Sequence, residues 1–122
     1  MNVGIIGSRR RNSLQDFEKV HGAFQEFLFV ADLSKLTIIS GGCPKGGDRF
    51  AEVLAKKYKV DIIIHRAEWN KYGRSAGFQR NTYIAQDSDV LIACAAPDRT
   101  GGTEDTIRKF KKLHPEGLVT IV

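Results

Sequence analysis

Short apolar runs alternate with longer amphipathic segments along the whole chain. The runs are apolar at nearly every position, which is typical of parallel strands that are covered on both faces. Five such strands are predicted, over residues 3–6, 36–39, 60–64, 90–93 and 118–122. The pattern therefore predicts a buried, parallel sheet.

The segments between these strands carry apolar residues at helical spacing. In the first segment, apolar side chains recur at steps of three and four residues from Leu14 to Phe27, after Asn12 or Ser13 as the N-cap. Three further helices are predicted around residues 50–58, 76–86 and 107–113. Gly77 lowers the helix propensity of the third of these four helices.

The alternation of strands and helices predicts a single α/β domain over residues 1–122, with a Rossmann-like three-layer α/β/α fold. Right-handed crossovers and a fourth strand that returns to the other side of the first one give a five-stranded parallel sheet of order 3-2-1-4-5. Ligands of such sheets bind outside the carboxyl ends of the strands, at the switch point between the first and fourth strands. We therefore expect the functional residues in the loops after the first, second and fourth strands.

The composition argues against a membrane-spanning protein and against a metal site. Apolar residues make up 42% of the chain, and no apolar stretch approaches the ~20 residues of a membrane span. The N-terminal segment lacks a basic flank and a long apolar region, so we expect a cytoplasmic protein. Cys43 and Cys94 have no metal-ligand spacing with each other or with the histidines, so we expect no metal and no other cofactor.

The net charge of +5 is compatible with binding a polyanion, although it arises from 19 basic and 14 acidic residues spread along the chain. Basic residues cluster only at positions 9–11 and 109–112. The second cluster suits the C-terminus of a helix, where cations complement the dipole. The first cluster follows the first strand and therefore lies in a predicted ligand loop.

The three loops at the predicted switch point contain small and basic residues of the kind that bind phosphate. The loop over residues 40–48 passes through four glycines into a helix, which favours either an anion site or a tight turn with nothing bound. No loop matches G-x-G-x-x-G or G-x-x-x-x-G-K-[ST], which argues against an ordinary dinucleotide site and a P-loop NTPase. The candidate nucleotide- and phosphate-binding residues are Gly7, Ser8, Arg9, Ser40, Gly41, Gly42, Asp48, Arg80, Asn81, Gly101, Gly102 and Thr103.

Carboxylates and aromatic side chains near these loops each have two interpretations. Asp48, Glu104 and Asp105 lie in the first turns of predicted helices, where they either complement the dipole or accept hydrogen bonds from ribose hydroxyls. Trp69 and Tyr72, between the third and fourth strands, either pack as anchors or stack on a base. These two aromatic residues are the candidates for base stacking.

The combination of these motifs resembles the YspA-like branch of the SLOG superfamily over almost the whole chain. The residues that carry the resemblance are Gly7-Ser8-Arg9, Ser40-Gly41-Gly42, Gly47-Asp48-Arg49, Trp69, Gly73, Ala76-Gly77, Arg80-Asn81, Asp89 to Ala93 and Gly102-Thr103. The resemblance implies a Rossmann-like fold and the binding of a nucleotide or nucleotide-derived ligand, often in a sensor role. It also implies self-association, so we expect a homodimer.

The same superfamily suggests two alternative functions. Its LOG phosphoribohydrolases cleave the N-glycosidic bond of nucleoside monophosphates, and Arg80 falls where their catalytic arginine lies. Thr106 stands at the position of their glutamate, which leaves Glu104 and Asp105 as the neighbouring carboxylates. Whether the protein is an enzyme stays open; if it is an N-glycosidase, Arg80, Glu104 and Asp105 are the catalytic candidates.

The third alternative is single-stranded DNA binding, which the resemblance implies through DNA-uptake relatives of the superfamily. This function requires a basic groove with several stacking aromatics. The chain offers Arg9 to Arg11, Trp69 and Tyr72, together with 14 acidic residues. We therefore rank DNA binding behind the two nucleotide hypotheses.

Overall fold

The computed structural model describes residues 1–122 and contains five strands and five α-helices. The strands are β1 (Asn2–Gly7), β2 (Thr37–Ser40), β3 (Asp61–Ile64), β4 (Val90–Cys94) and β5 (Val119–Ile121). The helices are α1 (Leu14–Phe27), α2 (Gly47–Tyr58), α3 (Trp69–Tyr72), α4 (Ala76–Asp87) and α5 (Gly102–Leu113), with short 3₁₀ turns at Leu33–Lys35 and Gly73–Ser75. None of the helices combines the length and the hydropathy that a membrane crossing requires.

All strands pair in parallel, in the order β3-β2-β1-β4-β5. This order confirms the predicted arrangement 3-2-1-4-5 and the Rossmann-like α/β fold. The pairing of β1 with both β2 and β4 means that the chain reverses direction across the sheet at β1. The loops after β1 and β4 therefore open toward the same crevice.

The two faces of the sheet carry separate hydrophobic cores. Ile5 packs in a cluster with Phe24 of α1 and Phe50 of α2, whereas the next residue, Ile6, belongs to a cluster with Phe110 of α5. This alternation follows from the two-residue period of a strand. Helices α1 and α2 thus cover one face, and α4 and α5 cover the other, which gives the three layers.

The expectation that every strand is covered on both faces is wrong for the two edge strands. Ile63 in β3 exposes 44% of its surface and Ile121 in β5 exposes 41%. An edge strand has a neighbouring strand on one side only, and its side chains lie at the margin of the helical layers. Continuous apolar runs therefore identified the strands without distinguishing central strands from edge strands.

Helices α2 and α5 begin at Gly47 and Gly102, earlier than the apolar spacing predicts. Their N-cap residues, Gly46 and Gly101, have φ values of 73° and 104°, a backbone conformation that other residues rarely adopt. The first turns that follow are polar, so hydrophobic spacing does not reveal them. These polar turns lie at the carboxyl edge of the sheet.

The N-terminus of α1 resolves the choice between the two predicted capping residues. The Ser13 hydroxyl accepts a hydrogen bond from the Asp16 backbone N–H at 3.1 Å, and the Asp16 carboxylate accepts one from the Ser13 N–H. Asn12 instead accepts a hydrogen bond from the Gly46 N–H at 2.9 Å. Asn12 therefore connects the loop after β1 to the loop after β2.

Candidate functional site

A cavity of about 350 Å³ opens at the carboxyl ends of β1 and β4, where the switch point was predicted. Loops after β1, β2 and β4 form its walls, together with one side of α4. Of the predicted phosphate- and nucleotide-binding residues, it brings together Gly7, Ser8, Arg9, Asp48, Arg80, Asn81, Gly101, Gly102 and Thr103. The other three predicted residues, Ser40, Gly41 and Gly42, do not line this cavity.

These three residues support the site from behind or border a second cavity. Ser40 is fully buried at the end of β2, and its hydroxyl donates to the Asp48 carbonyl at 3.4 Å. Gly41 and Gly42 line an adjacent cavity of about 270 Å³. A side chain on Gly41 would collide with both Arg80 and Asp48, so this glycine allows the two charged groups to lie close to the loop backbone.

Arg80 on α4 is a cation that two neutral groups hold in place beside the cavity. Its Nε donates to the Asn81 Oδ1 atom at 3.0 Å, and its Nη1 donates to the Gly41 carbonyl at 3.0 Å. It forms no ion pair, and its Nη2 has no hydrogen-bond partner in the protein. The guanidinium is therefore oriented by neutral groups while its charge and its remaining donors stay available to an anion.

The first two of the three arginines that follow β1 have different surroundings. Arg10 forms a bidentate ion pair with Asp98, with distances of 2.9 and 2.7 Å, and this pair with the Thr100 hydroxyl holds the pKa of the Asp98 carboxyl well below its usual range. Arg9 is exposed, lines both cavities and forms no ion pair. Arg9 therefore joins Arg80 as a cation available to a ligand.

Asp48 is the one carboxylate that lines the first cavity. It is buried in the first turn of α2, and its Oδ2 accepts a hydrogen bond from the Cys43 N–H at 3.1 Å. Burial raises the pKa of Asp48 above its ordinary value, against the opposing effects of the Cys43 N–H and the Arg80 charge. Because Asp48 lines the cavity and its two oxygens offer about four acceptor sites, it has acceptor capacity left for a ligand hydroxyl.

The N-terminus of α5 forms the opposite wall. No side chain caps this helix, so the backbone N–H groups of Gly102 and Thr103 are left for solvent or a ligand. Thr106 lies one turn further along and also lines the cavity, with its hydroxyl 3.4 Å from the Gly102 carbonyl. The wall therefore combines a positive helix end with hydroxyl groups.

The structure does not bring Glu104 or Asp105 into either cavity. Glu104 forms a bidentate ion pair with Arg99, with both distances 2.9 Å. Asp105 is buried and bonded to Asn81 at 3.1 Å and to Lys109 at 2.9 Å. Successive helical residues point about 100° apart, so the register that turns Thr106 toward the cavity directs its two acidic predecessors elsewhere.

Only one of the two predicted stacking residues lines a cavity. Trp69 exposes 58% of its surface and lines the second cavity, beside Gly42 and Arg66. Tyr72 lines neither cavity, and its hydroxyl lies 3.4 Å from that of Tyr83. Trp69 therefore stays a candidate for stacking, whereas Tyr72 is not positioned for it.

Sequence reasoning missed several residues of the site. Arg66 follows β3 at the same carboxyl edge of the sheet, so the rule that selected the other loops could have found it. Thr100 and Ile84 also line the first cavity, but a threonine in a turn and an isoleucine on a helix carry no distinguishing signal. Their contribution depends on the tertiary structure alone.

The chain matches no protein-family model, no curated protein and no solved structure. No group of three His, Cys, Asp or Glu side chains is arranged to hold a metal ion. The charged and hydrogen-bonding groups that line the site include its arginines, the N-terminus of α5 and Asp48.

Proposed function

We propose that the first cavity binds a nucleotide or a nucleotide-derived ligand through a phosphate group. The observation that carries this proposal is Arg80, a cavity-lining cation that two neutral acceptors hold in place and that forms no ion pair. Arg9 and the uncapped N-terminus of α5 border the same space. A phosphate there receives charge-assisted hydrogen bonds from a guanidinium and from backbone N–H groups.

The position of Asp48 favours a sugar phosphate over inorganic phosphate alone. Its carboxylate accepts a hydrogen bond from a ligand hydroxyl group, whereas it would repel a second phosphate oxygen. The volume of about 350 Å³ is near the lower end of the roughly 300–1,000 Å³ that is typical of small-molecule sites. The site therefore suits a compact ligand with one anionic end and one hydroxyl-bearing part.

Calorimetric titration with the common nucleoside monophosphates and the corresponding nucleosides tests the proposal. We expect the monophosphate to bind and the nucleoside to bind much more weakly, because the nucleoside cannot use Arg80. The variant Arg80→Gln should weaken monophosphate binding by about 10- to 100-fold, the value of one or two charged hydrogen bonds. Arg74→Gln, on an exposed turn outside both cavities, is the matched control.

A separate experiment tests the role of the Asp48 carboxylate. Asp48→Asn should weaken the binding of the monophosphate and of ribose 5-phosphate, but not that of orthophosphate, which has no hydroxyl-bearing sugar. Absence of any monophosphate binding below ~1 mM would remove the proposal, since such weak association is worth only about −4 kcal/mol. Equal affinities of Arg80→Gln and the unchanged protein would remove the role of Arg80.

Hydrolysis of the N-glycosidic bond is a second candidate function, with Asp48 in place of the predicted carboxylates. The observation in its favour is that Asp48 is the carboxylate facing the cavity, with a raised pKa that suits proton transfer. In such a reaction, the bond from the anomeric carbon to the base breaks with its electron pair on the base, and a water adds to the anomeric carbon and gives one proton to Asp48. The departing base takes up a proton and Asp48 returns its own to solvent, so that the products are free base and sugar phosphate. Chromatographic detection of free base that disappears in Asp48→Asn would support this function, and intact nucleotide after prolonged incubation would reject it.

No comparable observation supports single-stranded DNA binding or a dimer. A DNA-binding groove needs several aromatics along a basic track, and Trp69 is the one aromatic side chain that lines the two cavities. The homodimer and the cytoplasmic location stay predictions of the sequence. The oligomeric state is directly measurable by analytical ultracentrifugation.

A further inference from the structure

The second cavity adjoins the first on the side of β3. The two cavities share three lining residues, Arg9, Cys43 and Arg80. An anionic group bound by Arg80 therefore lies at the border between them. The first volume, about 350 Å³, lies near the lower end of the roughly 300–1,000 Å³ of typical ligand sites, and the second, about 270 Å³, lies just below it. A ligand that uses both cavities has more space than either one offers.

The second cavity differs from the first in its chemistry. It contains no carboxylate, and its distinctive side chains are the exposed indole of Trp69 and the guanidinium of Arg66. Arg66 forms no ion pair, and its Nη1 lies 3.5 Å from the Gly42 carbonyl. A planar aromatic ring and a planar cation both bind the face of a nucleobase.

Trp69 and Arg80 lie next to one another across Gly77. The Trp69 Cη2 atom is 3.8 Å, and the Arg80 Nη2 atom 4.0 Å, from the position that a Cβ on Gly77 would occupy. The phosphate-binding guanidinium and the exposed indole are therefore neighbours. A phosphate on Arg80 that carries a second substituent has the Trp69 indole within reach of that substituent.

We propose that the ligand is a dinucleoside phosphate or diphosphate that spans both cavities. One nucleoside occupies the first cavity with a hydroxyl on Asp48, the phosphate bridge contacts Arg80 and Arg9, and the second base stacks on Trp69 and Arg66. This inference rests on the proposed function, because it uses the same phosphate position. It adds the class of ligand, since a mononucleotide leaves the second cavity empty.

The experiment compares three ligands with the same base: the nucleoside monophosphate, the nucleoside diphosphate and the symmetric dinucleoside diphosphate. We expect the dinucleoside ligand to bind about tenfold or more tightly than the monophosphate, the usual effect of stacking one base. Trp69→Ala should remove the difference in affinity between the dinucleoside ligand and the monophosphate. Phe29→Ala, which removes another highly exposed aromatic ring outside both cavities, should preserve the gain.

Fluorescence provides a readout that does not depend on affinity. Trp69 is the only tryptophan of the chain, so its emission reports directly on a base stacked against it. We expect quenching by the dinucleoside ligand and none by the monophosphate. Trp69→Phe should retain part of the affinity gain, because a smaller ring still stacks.

The outcomes separate this inference from the proposed function. If the monophosphate binds in an Arg80-dependent manner and the dinucleoside ligand binds no more tightly, the spanning ligand is wrong while the phosphate site stands. An equal gain with the nucleoside diphosphate, or Trp69 quenching by the monophosphate, also overturns the second base site. If neither ligand binds, the proposed function fails and the inference falls with it.

Discussion

Gly47 begins α2 directly against the backbone of β1, and the substitution Gly47→Ala tests how strictly this contact determines the fold. A Cβ at this position would meet the Ile6 carbonyl carbon, the Ile6 oxygen and the Gly7 nitrogen, all well inside the 3.0 Å that real Cβ contacts essentially never cross. All three atoms belong to the backbone of the central strand. No side-chain rotation can therefore relieve the collision, and α2 must move.

The expected cost follows from this geometry. Added methyl groups in packed cores usually cost about 1–3 kcal/mol when neighbouring side chains can adjust. Because the obstacle here is backbone, we expect Gly47→Ala to lower the free energy of unfolding by about 3 kcal/mol or more. Asp48 is the next residue, so the displacement also moves the carboxylate of the proposed site and should weaken sugar phosphate binding.

Gly22 provides a matched control within the same fold. It lies in α1, and a Cβ there would meet no atom within 4 Å. Gly22→Ala should therefore stabilise the protein by about 0.5–1 kcal/mol, the usual gain of alanine over glycine in an exposed helix. The two substitutions thus have opposite expected signs for the same chemical change.

Urea unfolding followed by circular dichroism measures both effects. The transition midpoint should fall for Gly47→Ala and rise for Gly22→Ala, with similar slopes. A Gly47→Ala protein whose free energy of unfolding stays within about 0.5 kcal/mol of the unchanged protein, the range of ordinary surface substitutions, would refute the close approach of α2 to β1.

Three further predictions concern ionisable side chains. Asp105→Ala should cost about 1–3 kcal/mol of stability, because the Asn81 amide and Lys109 lose their buried acceptor. Nucleotide affinity should fall less than in Arg80→Gln, because Asp105 acts on the site only through the Asn81 amide that positions Arg80, and an equal loss would assign Asp105 to the site. Burial raises the pKa of Asp48, so the folded state binds more protons than the unfolded state. The stability of the protein therefore falls as the pH rises from about 3.9 through that higher pKa. Unfolding measured at a series of pH values should show no such fall in Asp48→Asn. Burial, with the nearby Lys57 charge, lowers the pKa of His21, so stability should decrease as the pH drops below about 6.5, and His21→Gln should lack this decrease.

The fold was accessible from sequence because its signals are local and repeat. Apolar runs identify the strands, and handedness rules leave few arrangements for strands that alternate with helices. Adjacent residues of one strand point to opposite faces of the sheet, so Ile5 and Ile6 belong to different cores, and this assignment needs only the local sequence. The same rules located the cavity, since the position of a switch point depends on strand order alone.

The roles of individual side chains were less accessible, because they depend on helix register. Whether Glu104, Asp105 or Thr106 faces the cavity is decided by where α5 starts, and that start is a turn at Gly101 with a φ of 104°. Polar first turns carry no hydrophobic period from which the register could be read. A difference of one residue then changes which side chain lines the site.

The three consecutive arginines after β1 show why charge clusters in a sequence are weak indicators of function. Arg9 is unpaired beside both cavities, whereas Arg10 is neutralised by Asp98, which lies 88 residues away in the chain. Arg11 is half-buried, pairs with Asp16 and donates to the backbone carbonyls of Ala95 and Val122. Two of the three charges are thus paired with carboxylates of the same chain, and the cluster leaves one unpaired cation for a ligand. A single arginine beside Arg80 fits one phosphate bridge at the border of two cavities better than it fits the continuous positive track that a DNA strand requires.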